Sequence, residues 1–202
     1  MKKTKGNQSM SVSSGKETQD IASPQKYFTE SEIQAILSVL HKWQDRLLFM
    51  VGLELGSRVS EVSSLKWANV NFQEKYVVIW DEKKDRYRAC VLPQEVWTGL
   101  WEYAKTIDKR VGKRVFPYSS KTLNRRIKQW AKDAGITRRV RWHTLRHTYV
   151  VESRKKGREW SLISAQTGDT AATLIQEYDK LSLEDRQKMT DERPLTEVEK
   201  HD

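Results

Sequence analysis

Residues 55–67 read LGSRVSEVSSLKW, and they combine a helix stop, a helix start and an arginine between the two. Gly56 can end the apolar segment that precedes it, because glycine readily takes the left-handed conformation found at helix C-termini. Ser57 can then cap a short amphipathic helix that runs to about Leu65. We therefore predict two consecutive helices, with Arg58 held at the start of the second.

Apolar residues at helical spacing predict further helices on both sides of this stretch. Thr29 and Glu32 form a Thr-x-x-Glu capping box, which marks the start of the first of them. Gly135 and Gly157 are placed to end two later ones. The remaining predicted helical segments are 43–55, those around 96–101 and 123–130, and 143–156, 161–167 and 171–179.

The hydrophobic period changes to that of β-strands between Tyr76 and Leu92. YVVIW and RYRACVL are rich in β-branched and aromatic residues, and the charged stretch DEKKD separates them. This pattern predicts a β-hairpin with a lysine-rich tip, which Pro93 closes. The predicted fold class is therefore mostly α with a small antiparallel β-sheet (α+β).

The charge of the chain is unevenly distributed. Its 202 residues favour one domain with tails, and 37 Lys and Arg stand against 27 Asp and Glu. The net charge of +10 favours a polyanionic partner such as nucleic acid. Residues 121–160 hold 13 Lys and Arg but three Asp and Glu, an excess equal to that of the whole chain. We therefore predict a regional basic surface.

The sequence contains no run of about 18 apolar residues for a membrane span, and its N-terminus lacks the apolar stretch of a secretory signal. We expect a soluble, cytoplasmic protein without a membrane partner. The single Cys90 cannot form an intramolecular disulfide, and the four His show no spacing typical of metal ligands. We therefore expect no metal and no cofactor.

Three separated signals need a common explanation: LGSRVSEVSSLKW, HTLRHTY at 143–149, and Tyr178 at the end of a helical segment. Together they resemble the tyrosine recombinase (phage integrase) family, whose order of Arg, hairpin Lys, His-x-x-Arg and Tyr is matched here. HTLRH also fits the family's His-x-Leu-Arg-His motif at all four fixed positions. The resemblance covers about residues 27–180 and implies the catalytic domain of this family.

Two segments flank this predicted domain. Residues 1–26 have the composition of a flexible basic arm, too short for the N-terminal domain that most family members carry. A single-domain member or an excised catalytic domain would both have this form. Residues 181–202 form an acidic tail, and in the family such a tail commonly passes to a neighbouring protomer as a helix. A disordered tail is equally compatible with its composition.

The resemblance implies that Tyr178 attacks a DNA phosphodiester, leaving a 3′-phosphotyrosyl bond and a free 5′-hydroxyl. Two guanidinium groups, those of Arg58 and Arg146, can bind the non-bridging phosphate oxygens without a metal. An ammonium on the hairpin can protonate the leaving oxygen as a general acid. Alignment with the family hairpin favours Lys84 for this role, and Lys83 remains an alternative.

The nucleophile also needs a group that accepts its proton, because the ordinary pKa of a phenol is about 10. His143 and Arg146 lie three residues apart, so both project from one helix face towards a shared point. His143 is therefore expected to assist Tyr178. His147 lies one position off that face, and we expect it to be a packed supporting residue.

Other residues have expected roles outside the chemistry. Glu61 resembles the acidic residue that commonly accompanies the first arginine, and we expect it to fix the guanidinium of Arg58. Trp67 is expected in the core. Tyr87 and Tyr149 are alternative phenols, but both rank below the tyrosine at the helix end, because one lies on a strand and the other where the family has a packed aromatic residue.

Asp169 departs from the family pattern, in which a Gly-His or Gly-Trp pair places its second residue nine positions before the nucleophile. Here the pair is Gly168-Asp169. An ionised carboxylate cannot donate a hydrogen bond to a phosphate and repels it, which lowers the expected cleavage rate. Asp169 can instead orient Arg146 or His143, or one of two nearby threonines supplies the donor.

These features favour a site-specific DNA recombinase of the integrase, excisionase or invertase type that cuts and rejoins double-stranded DNA. The family implies a homotetramer on DNA during synapsis, and a free monomer is compatible with it. A type IB topoisomerase-like relaxation activity would use the same pocket. Asp169 supports a further interpretation, a catalytically weak or inactive DNA-binding module.

Overall fold

The computed structural model describes residues 25–82, 84–107 and 112–178, in which helices pack against one face of a small sheet. The predicted class, mostly α with a small antiparallel sheet, is confirmed. The predicted tail and all but two residues of the predicted arm lie outside the described residues. The elements are α1 (Glu30–Val39), α2 (Trp43–Leu55), α3 (Val59–Ser64), a 3-10 helix (Trp67–Asn69), β1 (Val70–Asn71), β2 (Tyr76–Asp81), β3 (Arg86–Val91), α4 (Gln94–Thr106), α5 (Ser120–Asp133), α6 (Trp142–Lys155), α7 (Trp160–Thr167) and α8 (Ala171–Tyr178).

The sheet has three antiparallel strands in the order β1-β2-β3. The predicted hairpin is β2 and β3, and the two-residue β1 is an addition that the sequence pattern did not indicate. Side chains of these strands alternate between an exposed and a buried face, as the period of two requires. Two charged side chains, Asp81 and Arg88, lie on the buried face beside Ile79 and Cys90.

The start of α3 differs from the sequence prediction. Arg58, not Ser57, is the N-cap residue, and the helix begins at Val59. The reason is that the Glu61 carboxylate accepts the backbone N–H of Arg58 at 2.7 Å and so caps the helix from inside its first turn. Ser57 is fully buried and its hydroxyl donates to the Leu55 carbonyl at 3.4 Å. The arginine keeps its predicted place at the helix start.

Helices α2 and α6 make the closest helix contact that positions the site. Gly52 in α2 faces the fully buried indole of Trp142 at the start of α6. A Cβ atom at Gly52 would lie 2.4 Å from the indole ring, which is far inside van der Waals contact. The two helices can approach this closely because residue 52 has no side chain.

We expect Gly52→Ala to lower the free energy of unfolding by about 2 kcal/mol, because the packed indole must move to admit the methyl group. Urea unfolding followed by tryptophan fluorescence measures the change. Gly99→Ala in α4 is the matched control, since its Cβ would meet only a Leu47 methyl group, at 2.8 Å, that can turn away. Equal losses in both variants would contradict the close-packing explanation.

Helix α7 is tied to the edge of the sheet by Gln166. Its side-chain amide donates to the Val91 carbonyl at 2.8 Å and accepts the Val91 N–H at 3.0 Å. Its backbone carbonyl accepts a hydrogen bond from Arg88 Nε at 3.1 Å. These bonds hold the C-terminal end of α7, and the turn that follows it, directly over the hairpin.

Gly168 makes that turn possible. Its φ of 82° is in the left-handed region, and a Cβ would lie 2.9 Å from Asp81 Oδ2 and 3.0 Å from Arg88 Nη1. Glycine thus satisfies both the backbone conformation and the close approach to two buried charges. None of the helices in the three described ranges is long and apolar enough to cross a membrane.

Candidate active site

Arg58 and Arg146, the two guanidinium groups predicted to bind phosphate, meet at one carboxylate. Arg58 Nη2 donates to Asp169 Oδ1 at 2.8 Å, and Arg146 Nη2 donates to Oδ2 of the same group. Arg58 comes from the start of α3, Arg146 from the middle of α6 and Asp169 from the turn after α7. The fold therefore brings three distant parts of the chain to one point.

Arg146 is held rigidly, and only 1% of its surface is exposed. Its Nη1 donates to the backbone carbonyls of Gly56 and Thr167, each at 2.8 Å. Both carbonyls lie at the ends of helices, α2 and α7, where backbone acceptors lack intrahelical partners. The guanidinium is thus fixed by backbone atoms, and its Nη2 is directed at Asp169.

Arg58 is more accessible than Arg146, with 28% of its side chain exposed. Its Nη1 donates to Glu61 Oε1 and to Asp81 Oδ1, both at 3.2 Å. The contact with Glu61 is the one expected from the sequence. Glu61 and Asp81 are both buried, so they hold one edge of the guanidinium while the other edge faces Asp169 and solvent.

Arg88 is a functional neighbour that the sequence interpretation missed. Its Nη1 and Nη2 bind Glu61 Oε1 and Oε2 at 2.9 and 2.8 Å, a bidentate pair beneath Arg58. It is 9% exposed, and its Nη1 lies 3.8 Å from Asp81 Oδ2. Strand alternation could have identified both Arg88 and Asp81, because they share the buried parity of the apolar residues in the hairpin.

Lys84 lies in the turn between β2 and β3, and its ammonium donates to the carbonyl of Gly168. The predicted hairpin lysine is therefore beside the residue that carries the central carboxylate. Lys83, the alternative, lies outside the described residues. Lys84 adds a third positive charge that acts on Asp169, after those of Arg146 and Arg58.

The site contains four cationic groups and three carboxylates. Burial opposes ionisation of Asp169, but Arg146 and Arg58 outweigh it and hold the pKa of this carboxyl below its usual range. Asp169 is therefore ionised at neutral pH and fills the space between the two arginines with a single negative charge. The cations are Arg58, Lys84, Arg88 and Arg146, and the carboxylates are those of Glu61, Asp81 and Asp169.

Tyr178 ends α8 and forms a hydrogen bond between its hydroxyl and Nδ1 of His147. The two rings lie 5.5 Å apart between centroids. His143 is exposed and stacks edge-on against His147, with 4.3 Å between centroids. The structure thus differs from the expectation that His143 assists the tyrosine. The reason is that His143 and His147, four residues apart, share a face of α6, and the tyrosine reaches the second ring.

The tyrosine and the arginine cluster form one electrostatic site. Burial and the Glu177 carboxylate raise the pKa of Tyr178 above its ordinary value, while Arg146 opposes this shift. Burial and the neighbouring His143 lower the pKa of His147 to about 4, so its ring is neutral at pH 7. Tyr178 is therefore a protonated phenol hydrogen-bonded to a neutral imidazole.

The remaining sequence expectations for aromatic residues agree with the structure. Trp67 is 6% exposed and belongs to the core, and Tyr149 is 8% exposed and packs in a second apolar cluster. Tyr87 is 65% exposed on β3, with its ring 4.7 Å from that of Trp80. Neither alternative phenol has a hydrogen bond to His143 or His147 among the described contacts.

The sequence of this chain is similar to those of known proteins. The sequence model of the phage integrase family matches residues 26–183. Tyrosine recombinase XerA of Thermococcus onnurineus is 29% identical over 182 residues, which are 85% of this chain and 64% of the relative. Tyrosine recombinase XerC of Chlamydia trachomatis is 24% identical over 190 residues, 86% of this chain and 59% of the relative.

Solved structures show the same fold. The crystal structure of XerA recombinase has a TM-score of 0.70 at 23% identity and covers 85% of this chain and 64% of that one. The XerH site-specific recombinase bound to its difH substrate has a TM-score of 0.66 at 18% identity, covering 82% and 54%. The expected fold is confirmed, and the chain spans less than two thirds of the length of these relatives.

Proposed function

This chain belongs to the phage integrase family, and on that premise we propose that it is a site-specific recombinase that cuts and rejoins double-stranded DNA through Tyr178. The observation that carries the proposal is the single carboxylate held between Arg58 and Arg146. Guanidinium groups donate charge-assisted hydrogen bonds to carboxylates and to phosphates alike, and here each arginine gives one N–H to one oxygen of Asp169. A phosphodiester, which carries one negative charge, can therefore take the place of Asp169 without changing the charge balance of the site.

The proposed reaction is phosphoryl transfer without a metal. Arg58 and Arg146 bind the two non-bridging oxygens and stabilise the charge that they gain in the transition state. The phenol oxygen of Tyr178 attacks phosphorus, and the bond from phosphorus to the 5′-oxygen breaks. Lys84 donates a proton to that leaving oxygen.

Asp169 supports a second candidate function, a DNA-binding module with weak or no cleavage. Its carboxylate already occupies the position between the arginines, so DNA must displace it before phosphate can bind. Each charged hydrogen bond lost in this exchange costs roughly 1.5–3 kcal/mol, which the incoming phosphate has to restore. If the exchange is unfavourable, the chain binds DNA through its basic surface and cuts it slowly.

We expect DNA affinity to fall steeply as the salt concentration rises, because binding through the basic residues of segment 121–160 releases counterions from the DNA phosphates. Lys121 at the start of α5 and Arg141 before α6 are both exposed. Replacing both with alanine should lower the magnitude of the slope of log affinity against log salt by about two, one per phosphate contact. Fluorescence anisotropy with a labelled duplex at several salt concentrations measures it.

The control for this prediction is Lys105→Ala on α4. Lys105 pairs with Glu102 at 2.8 Å, and its helix lies outside the basic segment. This variant should bind DNA with the wild-type slope. An unchanged slope in the double variant, or an equal change in the control, would place the DNA-binding surface elsewhere.

The proposed activity is tested by denaturing the protein on DNA and looking for covalent attachment. The 202-residue chain is incubated with supercoiled plasmids that carry fragments of the genome encoding it, and the reaction is stopped with SDS. DNA that precipitates with protein and is released by protease supports the proposal. DNA that is bound in the anisotropy assay but never attached would support the second candidate.

The products of the same reaction distinguish the kinds of cleavage. Exchange between two plasmids would support site-specific recombination, whereas relaxation of supercoils without exchange would support a topoisomerase-like activity. Exchange also requires synapsis, for which we propose a homotetramer on DNA. Residues 181–202, for which a protomer-linking helix and a disordered tail are both compatible with the sequence, lie outside the described residues.

A further inference from the structure

The His147–Tyr178 hydrogen bond assigns a role to a residue that the sequence interpretation treated as packing. The tyrosine is the reacting group of the proposed function, and Nδ1 of His147 is the group hydrogen-bonded to its oxygen. His147 follows Arg146 directly in α6, so the imidazole is adjacent in sequence to the guanidinium that would bind phosphate. We propose that His147 positions Tyr178 and accepts its proton during cleavage, an inference that rests on the proposed function.

Burial keeps water from this pair and the imidazole in its neutral form, but it also makes the imidazole a weaker base, so proton transfer accompanies formation of the bond to phosphorus. His147 is 8% exposed, so water has little access to the hydrogen bond between the two side chains. The ring is neutral at pH 7, since its pKa is lowered to about 4, and a neutral imidazole with its proton on Nε2 accepts at Nδ1. The phenol of Tyr178 keeps its proton until it reacts, because its pKa is raised. The pair is thus an acid and an acceptor already in contact.

The proton transfer balances the chemical step. As the bond from Tyr178 Oη to phosphorus forms, the phenol oxygen loses its basicity and its proton moves to His147 Nδ1. The bond from phosphorus to the 5′-oxygen breaks, and Lys84 protonates that oxygen. In rejoining, the 5′-hydroxyl attacks the phosphotyrosine and gives its proton back to the Lys84 amine, while the bond from phosphorus to the phenol oxygen breaks and the departing phenolate recovers the proton from His147.

Several charged groups act on the imidazole in both protonation states. Glu177 Oε1 lies 3.8 Å from Nδ1, where it can stabilise the imidazolium that forms during attack. His143 and Arg146 disfavour that imidazolium, which limits the lifetime of the charged state. The groups that act on His147 are His143 and Arg146 from α6, Lys26 from the segment before α1, Asp169 from the turn after α7, and Glu177 and Tyr178 from α8.

Two substitutions separate positioning from proton transfer. In His147→Asn the side-chain oxygen can still accept the phenol hydrogen bond, but an amide cannot take the proton. We expect single-turnover adduct formation to slow by roughly 10²–10⁴-fold. We also expect the rate to rise about tenfold per pH unit, because only the ionised phenolate then attacks. The wild-type rate should be nearly independent of pH where His147 is neutral, between about pH 5.5 and about pH 8.

The second substitution, His147→Ala, leaves space for an added base. Added imidazole should restore part of its rate, and imidazole should not accelerate the His147→Asn variant. His41→Ala, which removes an exposed histidine outside the site, should keep the wild-type rate and pH profile. A His147→Asn variant that folds, as judged by thermal unfolding, and reacts with the wild-type rate and pH profile would overturn the proposal.

NMR of the protein without DNA tests the hydrogen bond between His147 and Tyr178 directly. Nitrogen-15 NMR of the imidazole groups should show His147 with its proton on Nε2 and an acceptor Nδ1 whose resonance moves in Tyr178→Phe. A proton on Nδ1, or a resonance unaffected by this change, would overturn the inference even if adducts form. If no adduct forms in the wild type, the proposed function fails while NMR still decides whether the pair exists.

Discussion

Tyr178→Phe is expected to abolish covalent attachment to DNA while changing DNA affinity by less than about twofold. The phenol oxygen is the only atom removed, so the nucleophile is lost while the ring still packs on the small cluster that includes Val150 and Leu174. Affinity rests on phosphate contacts from the basic surface, which this change leaves intact. Denaturing gels and anisotropy on the same DNA measure the two quantities.

The alternative phenols supply matched controls for this prediction. Tyr87→Phe removes an exposed hydroxyl, and Tyr149→Phe removes one that accepts a hydrogen bond from Arg158 at 3.4 Å. Both variants should form the adduct. Attachment that persists in Tyr178→Phe and disappears in one of these two would move the nucleophile to that residue.

Asp169→Asn is expected to increase DNA binding and cleavage together, by roughly 10- to 100-fold in the rate at limiting DNA. The amide removes the negative charge that Arg58 and Arg146 share, although Arg58 keeps its contacts with Glu61 and Asp81. It can also donate a hydrogen bond to a phosphate oxygen, which the carboxylate cannot. The phosphate then has to displace a neutral amide, which binds the two arginines more weakly than the carboxylate does. Both arginines hold the pKa of Asp169 low, so mild acidification does not release the carboxylate and the substitution is required.

The same variant should be less stable without DNA, because two buried or half-buried guanidinium groups lose their partner. Thermal unfolding with and without DNA measures this exchange of stability for affinity. Asp133→Asn, the same substitution at an exposed position at the end of α5, is the control. It should leave thermal unfolding unchanged and alter DNA affinity by less than about twofold. An Asp169→Asn variant that cleaves no faster and binds no tighter would show that the carboxylate does not compete with phosphate.

Local sequence signals were sufficient for much of the fold. Three of these signals each act over a few consecutive residues, so the local sequence is enough to predict the helix or turn. They are the capping box at Thr29, the glycine after α2 and the charged turn of the hairpin. The start of α3 was displaced by one residue, because a side chain three positions later caps it. The general preference for serine as an N-cap residue takes no account of the hydrogen bond from the Arg58 N–H to the Glu61 carboxylate.

The candidate site was less predictable, because its contacts join distant segments. The positions of Arg58, Arg146 and Tyr178 came from the resemblance, since spacing alone does not indicate that the three converge. From the sequence, two alternatives were open: Asp169 orients Arg146 or His143, or a nearby threonine supplies the hydrogen-bond donor. The structure shows it bridging Arg146 and Arg58, a result of how Gln166 anchors α7 on the hairpin.

Two further contacts depend on packing that no local pattern encodes. Arg88 places a charge where strand alternation predicts an apolar side chain, and its partner Glu61 lies on helix α3. Only the fold shows that each satisfies the other. The contact of His147 with Tyr178 depends on how α8 lies against α6. The sequence pattern placed His147 one position off the face that carries His143 and Arg146, whereas in the structure the two imidazole rings are in contact and Tyr178 meets that of His147.

Peptide mapping of the covalent adduct identifies the residue to which DNA is joined. Adduct trapped with SDS is digested with nuclease and then with trypsin, and the modified peptide is sequenced by mass spectrometry. We predict a peptide whose Tyr178 bears a nucleotide joined through its 3′-phosphate. A nucleotide joined through a 5′-phosphate, or one attached to any other residue, would contradict the proposed chemistry.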